Sequence, residues 1–375
     1  MSVSFTALKN DEKAVFSLRE LYSRYGYVRH KVSKFEEYDL YARNKSFLIS
    51  ENILTFTDTD GRLMALKPDV TLSIIKNIGN DDTQTHKLYY NENVYRTSAG
   101  ADGFREIMQT GLECVGRIDL CAVCEVITLA KKSLELISEN SILDISHMGF
   151  VAGLMENIGI EGIDADSLLD FIEHKNLSAI KAFCAERAIS EADARAICDI
   201  TALYAPMGEA LEAVRDIVRG KKMKAAYDEL CGIYGVLSAC GNADGIYVDF
   251  STVNDMNYYN GVTFKGFVRG IPDGILSGGS YDSLMKKMGK RAGAIGFAVY
   301  LDMLERLDFE SEKYDVDTLL LYESGSDMAQ VARAAESLRG EGRTVRCELC
   351  APNGIRYRQL LKFSEGGVSV LETND

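Results

Sequence analysis

Residues 87–116 read KLYYNENVYRTSAGADGFREIMQTGLECVG, two runs of alternating apolar and polar residues on either side of the turn TSAGADG. Alternation with a period of two is typical of β-strands, and the glycines in the turn favour a tight reversal of the chain. The stretch therefore predicts an antiparallel hairpin. Similar short runs before and after it extend the prediction to a meander of antiparallel strands.

The composition describes an acidic globular chain. Of its 375 residues 46% are hydrophobic and 26% charged, as in ordinary soluble proteins. No apolar run approaches the ~20 residues needed to cross a bilayer, and the first residues, MSVSFTALKNDEKAVF, lack the apolar region of a signal peptide. We therefore expect a cytoplasmic protein with no membrane attachment. The net charge of −14 argues against a nucleic-acid-binding surface.

The nine cysteines are expected to be reduced thiols, because nothing in the sequence indicates secretion. Two CxxC pairs, Cys121 with Cys124 and Cys347 with Cys350, fit the spacing of zinc ligands. The first pair lies in a segment with helical periodicity, which favours small core residues instead. The four histidines share no ligand spacing, so neither a metal nor a cofactor is predicted.

Segments around the hairpin indicate a core of residues 1–312 with a helical insertion. Helices are predicted at residues 11–27 and 119–137, and strands at 46–50, 53–58 and 143–149. Residues 160–238 have helical periodicity and almost no strand pattern, which indicates the insertion. Strand patterns return after residue 245.

The last part of the chain, residues 316–375, reads as a small α/β module after the charged link DFESEKYD. Its pattern predicts the order strand, helix, strand, helix, strand, with the second helix at residues 354–363.

Two segments carry polar residues at positions that suit a binding site. Gln109, Gly111 and Glu113 are spaced by two and share one face of a strand, where a glycine leaves room for a small molecule and a carboxylate suits an ammonium or imidazole group. A solvated polar face is the alternative. In KPDVT, Asp69 or Thr71 is predicted to cap the start of a helix, and such residues often face the cleft above a sheet.

Taken in order, these segments resemble the catalytic core of class II histidyl-tRNA synthetases and their paralogues over about residues 10–310. KPDVT is similar to the R-P-E-G-T segment of that family, and VYRTSAGADGFREIMQTGLECVG to its motif 2 hairpin. NDMNYYNGVTF resembles L-V-R-G-L-D-Y-Y-T-G-x-x-F, and SGGSYDSLMKKMGKRAGAIGFAVYLDML resembles G-G-R-Y-D-x-L followed by motif 3. The resemblance implies an α+β fold, an antiparallel sheet flanked by helices.

The sequence departs from the synthetases where they carry charge. Asn254 replaces a catalytic arginine and Asn257 the acid of the same motif, while Met303 and Ser280 stand where arginines are expected and Ser98 where motif 2 has its acid. Amino-acid activation needs positive groups to meet the charge on the transferring phosphate, and losing one donor of this kind costs about 10²–10³ in rate. Catalysis by this chain is therefore not expected.

The amino-acid side of the family's site is largely retained. The resemblance implies that histidine is held or enclosed by Asp69, Thr71, Gln109, Glu113, Tyr258 and Tyr259, with Asp69 a shorter replacement for a glutamate. Arg96 is kept from motif 2 as a possible remnant of phosphate binding.

One group of paralogues, the regulatory subunits of ATP phosphoribosyltransferase, fits a site that retains residues for binding an amino acid and lacks those for activating it. Membership implies a short-form catalytic subunit as partner, histidine as possible ligand and a homodimer within a hetero-oligomer, without tRNA. The terminal module resembles a truncated anticodon-binding domain, which that group usually lacks. An active histidyl-tRNA synthetase and another class II-like amino-acid sensor are the alternatives.

Overall fold

The computed structural model describes residues 9–48, 52–79, 84–97, 103–252, 259–306, 313–364 and 367–374. The chain divides into one unit spanning Met1–Leu307 and a second spanning Asp308–Asp375.

Twelve strands of the first unit fall within the described residues. They are β1 Val28–Arg29, β2 Phe35–Glu37, β3 Thr55–Thr57, β4 Leu63–Leu66, β5 His86–Thr97, β6 Phe104–Gly116, β7 Ser141–His147, β8 Ala205–Pro206, β9 Ile246–Val248, β10 Val262–Val268, β11 Leu276–Ser280 and β12 Gly293–Tyr300.

Nine of these strands form one sheet in the order β1-β5-β6-β12-β11-β10-β7-β9-β8, and β2-β4-β3 form a small separate sheet. The pairs from β5 through to β7 are antiparallel, whereas β1 pairs with β5 and β9 with β7 in parallel. The hairpin predicted at residues 87–116 is the pair β5 and β6, and the α+β fold with an antiparallel sheet flanked by helices is confirmed.

Eleven helices accompany these sheets in the described part of the first unit. They are α1 Asn10–Arg24, α2 Tyr38–Ala42, α3 Thr71–Asn77, α4 Leu120–Ile137, α5 Met148–Ile158, α6 Ile163–Glu173, α7 Leu177–Glu186, α8 Glu191–Ala202, α9 Met207–Val214, α10 Lys221–Ala239 and α11 Asp282–Lys287. None of the described helices has both the length and the apolar character that a bilayer span requires.

The two faces of the large sheet differ in polarity because side chains alternate along each strand. Leu112, Phe264 and Ile145 are buried in the main hydrophobic cluster together with α1, α4, α5 and α10. The residues next to them on the same strands, such as Glu113 and Thr263, point to the opposite face of the sheet. Helices therefore cover the apolar face, and the polar face is the one on which a ligand site can form.

The second unit contains β13 Val316–Leu321, α12 Met328–Gly340, β14 Val345–Glu348, β15 Tyr357–Ser364 and β16 Gly367–Thr373. Its sheet order is β14-β13-β15-β16. The helix predicted at residues 354–363 is wrong, because that segment forms β15. Leu361 and Phe363 are buried on one face beside exposed or half-buried neighbours, and this period of two fits a strand between β13 and β16.

Two further predictions are corrected. The strand predicted at residues 46–50 begins in a 3-10 helix, Lys45–Phe47, and its last two residues lie outside the described residues. Cys124 is buried as predicted for a core thiol, but Cys121 is exposed. The two cysteines lie in the first turns of α4, at the margin of the core, so that one of them faces solvent.

Candidate functional site

A narrow cavity lies on the polar face of the large sheet. Six of the residues singled out in the sequence line it: Asp69, Thr71, Arg96, Gln109, Glu113 and Tyr259. Tyr258, Asn254 and Asn257 lie outside the described residues. The cavity measures about 40 Å³, which is space for roughly three water molecules.

Glu113, on β6, is the most enclosed acid in the cavity. Its Oε1 accepts a hydrogen bond of 2.7 Å from the Thr71 hydroxyl, and its Oε2 accepts one from the Tyr281 hydroxyl. Gly296, paired opposite on β12, leaves the space that the carboxyl group occupies. Burial and, more weakly, the charge of nearby Asp69 raise the pKa of Glu113 to about 8, while the hydrogen bonds from Tyr281 and Thr71 oppose the shift.

Asp69 lies two residues before α3 and stabilises the start of that helix. Its Oδ1 accepts a hydrogen bond of 2.8 Å from the Leu72 backbone N–H, as predicted for a capping residue. Burial raises the pKa of Asp69, and the Leu72 N–H and the charge of Arg96 oppose that shift. The two buried acids therefore come from different segments, one on a helix start and one on a strand.

Arg96, on β5, is anchored to the loop that carries Asp69. Its Nε donates a hydrogen bond of 2.9 Å to the Pro68 carbonyl oxygen, and its guanidinium carbon lies 6.0 Å from the centre of the Tyr300 ring. Arg96 is the one cationic side chain among the described residues that line the cavity. Met303 packs instead against the main hydrophobic cluster, so it adds no polar group.

The side-chain amide of Gln109 has a donor group that no acceptor in the described structure satisfies. The side chain is 2% exposed, and within the described structure its Nε2 has no hydrogen-bond partner. A buried donor left unpaired costs about 1–3 kcal/mol, so an acceptor supplied by a ligand would be favourable here. Two buried carboxyl groups and one free amide donor together match a molecule that has both a positive group and an acceptor.

Tyr90 and Tyr281 are functional candidates that the sequence interpretation missed. Tyr281 holds Glu113, and Tyr90 stands opposite Gly111 on the neighbouring strand. A Cβ placed on Gly111 would lie 2.6 Å from the Tyr90 hydroxyl, so the space expected there for a ligand is filled by that ring. Once the register of β5 and β6 is known, strand alternation alone places Tyr90 on this face.

The arrangement of these groups suits the binding of a ligand with a positive group. Both Glu113 oxygens are occupied by hydroxyl donors, and no group of three or more metal-ligating side chains occurs in the described part of the chain. A cationic ligand would favour the ionised forms of Asp69 and Glu113 and pair with them.

Comparisons with known proteins identify the family. The histidyl-tRNA synthetase family model matches residues 5–304. The ATP phosphoribosyltransferase regulatory subunit of Clostridium kluyveri is 29% identical, with 87% of this chain and 85% of that protein aligned. The protein with the same name from Clostridium botulinum is 30% identical, with 81% and 75% aligned.

Solved structures share the fold. A Bacillus halodurans C structure described as an ATP phosphoribosyltransferase regulatory subunit/histidyl-tRNA synthetase is 24% identical, with a TM-score of 0.74 and 96% of each chain covered. A chain of the ATP phosphoribosyl transferase (HisG:HisZ) complex from Thermotoga maritima is 20% identical, with a TM-score of 0.62 over 78% of this chain and 97% of that one. The chain belongs to the histidyl-tRNA synthetase family and, within it, to the ATP phosphoribosyltransferase regulatory subunits.

Proposed function

We propose that this chain is a non-catalytic regulatory subunit that activates a short ATP phosphoribosyltransferase in the first step of histidine biosynthesis and contributes to feedback by histidine. The observation that carries the proposal is the combination of family membership with a cavity that retains its buried acids and lacks a second cationic group among its described lining residues. Such a chain acts on metabolism through a partner, because a binding site alone accelerates no reaction.

The ligand of the cavity is histidine, held by Asp69, Thr71, Gln109, Glu113, Tyr258 and Tyr259. A free amino acid carries an ammonium group for the acids and a carboxylate for the free amide donor of Gln109. Its imidazole supplies a second group that can pair with a carboxylate. The positive charge of Arg96 acts to lower the pKa of Asp69. The same charge would suit a phosphate, so Arg96 is the proposed remnant of phosphate binding.

Feedback requires that histidine bind one state of the complex better than the other. The cavity provides a physical basis, because its lining residues come from α3, β6 and β12, and a ligand that contacts all three can favour one arrangement of these elements. A coupling of about 1–3 kcal/mol would shift the activity equilibrium by 5- to 150-fold.

The decisive experiment measures a short catalytic subunit with and without this chain across a histidine titration. Association at micromolar concentration, higher activity in the mixture and inhibition by histidine are expected. Equal activity of the catalytic subunit alone, with no association, would leave an amino-acid sensor for another partner as the better assignment. Formation of charged tRNA would instead favour a working synthetase.

Calorimetry tests the ligand separately. Replacing Glu113 with Gln should lower histidine affinity by about 10- to 150-fold, since losing a charged hydrogen bond costs about 1.5–3 kcal/mol. Glu106→Gln is the matched control, because Glu106 lies on the same strand but is exposed and bonded to Asn93 and Tyr95. Equal binding by the wild type and Glu113→Gln, or no binding by either, would show that the polar face around Glu113 is only a relic of ancestry.

We further propose a cytoplasmic hetero-oligomer built on a homodimer, without tRNA, in which residues 1–312 form the synthetase-like core and 160–238 its helical insertion. The module at 316–375 would then serve as a vestige of an anticodon-binding domain or as an interface. Mass measurement of the complex tests the assembly, and removal of residues 313–375 tests whether the module contributes to it.

A further inference from the structure

Two cysteines lie close together at the start of α4. Cys121 and Cys124 are the second and fifth residues of that helix, and we name them the α4 dithiol. Residues three apart in an α-helix share a face, with Cα atoms about 5 Å apart. Disulfides need Cα atoms separated by about 4.4–6.8 Å. Cys121 also lies in the first turn, whose N–H groups lack intrahelical partners, so the backbone can adjust there at small cost.

The second CxxC pair of the chain has a different geometry. Cys347 lies in β14, which ends at Glu348, and Cys350 follows two residues after that end. Residues 349 and 350 form a bend after the strand, so this pair does not share one turn of a helix as the α4 dithiol does. The same sequence motif therefore lies within a helix in one place and across the end of a strand in the other.

The two thiols of the α4 dithiol differ in access. Cys121 is exposed and Cys124 is buried. Burial and, to a smaller extent, the neighbouring groups Cys121, Cys240 and Glu229 raise the pKa of the Cys124 thiol to about 11. Small disulfides in solution can therefore reach Cys121 first, and Cys124 is placed to act second, from the next turn of the same helix.

We propose that Cys121 and Cys124 form a redox-active dithiol that closes to an intramolecular disulfide by exchange with a low-molecular-weight disulfide such as oxidised glutathione. The Cys121 thiolate attacks one sulfur of that molecule, forming a mixed disulfide and releasing one thiol. The Cys124 thiolate then attacks Cys121 Sγ and releases the second thiol. The two cysteines lose two protons and two electrons, and the small disulfide is reduced to two thiols.

The test incubates the full chain in glutathione buffers of increasing oxidised fraction, traps free thiols by alkylation and maps the peptides by mass spectrometry. The Cys121–Cys124 disulfide should form first and be reversed by dithiothreitol, while Cys347 and Cys350 remain alkylated. A bridge to Cys240, or oxidation of the Cys347 pair at an equal or lower oxidised fraction, would overturn the proposal.

Two variants separate the steps. Cys124→Ser should stop at a stable glutathione adduct on Cys121, and Cys121→Ser should leave Cys124 unmodified. Absence of the adduct in Cys124→Ser, with the thermal unfolding curve unchanged, would contradict the proposal.

The pH dependence of ring closure in the unaltered chain provides a second readout that needs no substitution. Closure should accelerate about tenfold per pH unit between pH 7 and 9, because the thiolate fraction of a thiol with a pKa near 11 rises in that proportion. A rate independent of pH in this interval would exclude Cys124 as the second nucleophile.

Discussion

The carboxyl group of Glu113 occupies the space that a side chain on Gly296 would fill. A Cβ placed on Gly296 would lie 1.9 Å from Glu113 Oε2 and 2.5 Å from the Leu112 carbonyl oxygen. The Glu113 carboxyl group can therefore occupy its position in the cavity only because residue 296 of β12 has no side chain.

Replacing Gly296 with Ala should therefore disturb both the sheet and the site. Because one of the atoms in conflict is backbone, we expect a loss of about 1–3 kcal/mol in the free energy of unfolding, together with at least tenfold weaker histidine binding. Urea denaturation and calorimetry measure the two effects.

Gly235→Ala is the control for this substitution. Gly235 is exposed within α10 and a Cβ there meets nothing within 4 Å, so the change should stabilise the protein by about 0.5–1 kcal/mol. Unchanged stability and affinity in Gly296→Ala would contradict the packing described around Glu113.

Stability should depend on pH through Glu113. Its pKa is raised from 4.5 to about 8, so between these values the folded chain binds more protons at this group than the unfolded chain. The free energy of unfolding should then fall as pH rises, by up to about 1.4 kcal/mol per pH unit from this group. Urea denaturation from pH 5 to 8 should show a smaller slope in Glu113→Gln than in the wild type, and identical slopes would refute the shift.

The buried pair Lys67 and Glu92 should matter more than the surface ion pairs. The Lys67 side chain is fully buried and pairs with Glu92, whose other oxygen accepts from the Val32 N–H. Lys67→Met would leave Glu92 as an uncompensated buried charge, at a cost of about 3–5 kcal/mol. Chemical denaturation measures the cost.

Two comparison variants isolate this effect. Adding Glu92→Gln to Lys67→Met should recover part of the loss, because the unpaired charge is removed. Arg43→Met breaks an exposed helical ion pair with Asp39 and should change stability by less than about 0.5 kcal/mol. A similar cost for Arg43→Met and Lys67→Met would show that burial of the pair is unimportant.

Synthetase chemistry should be absent. Met303 packs against the hydrophobic cluster, and Arg96, which is bonded to the Pro68 carbonyl, is the one guanidinium among the described residues that line the cavity. Histidine-dependent exchange of pyrophosphate into ATP is expected to stay at background. Exchange that survives repurification and disappears in Arg96→Ala would overturn the expectation.

Local patterns predicted those parts of the fold that short-range forces decide. The alternation in residues 87–116 places β5 and β6 correctly, and the position of Asp69 before an apolar helical run predicts its capping hydrogen bond. The segment at 354–363 fails because GIRYRQLLKF satisfies a helical pattern as well as an alternating one. The segment forms a strand because it pairs with β13 and β16, and neither of these strands is part of the segment itself.

The candidate site was only partly predictable for the same reason. The spacing of Gln109 and Glu113 shows that they share a face, but nothing local indicates that Tyr281 donates to Glu113 or that Tyr90 covers Gly111. Both contacts depend on strand register across the sheet, which no single segment contains.

The hydrogen bond between Tyr281 and Glu113 joins residues 168 positions apart, and Thr71 reaches the same carboxyl group from 42 positions away. No early folding intermediate with only local contacts can contain this cavity, since closing loops of that length is a late and costly event. A molecule that fits the cavity can therefore bind only chains that have finished folding. It should slow their unfolding while leaving the rate of refolding unchanged, so that the supply of ligand sets how long each finished chain survives.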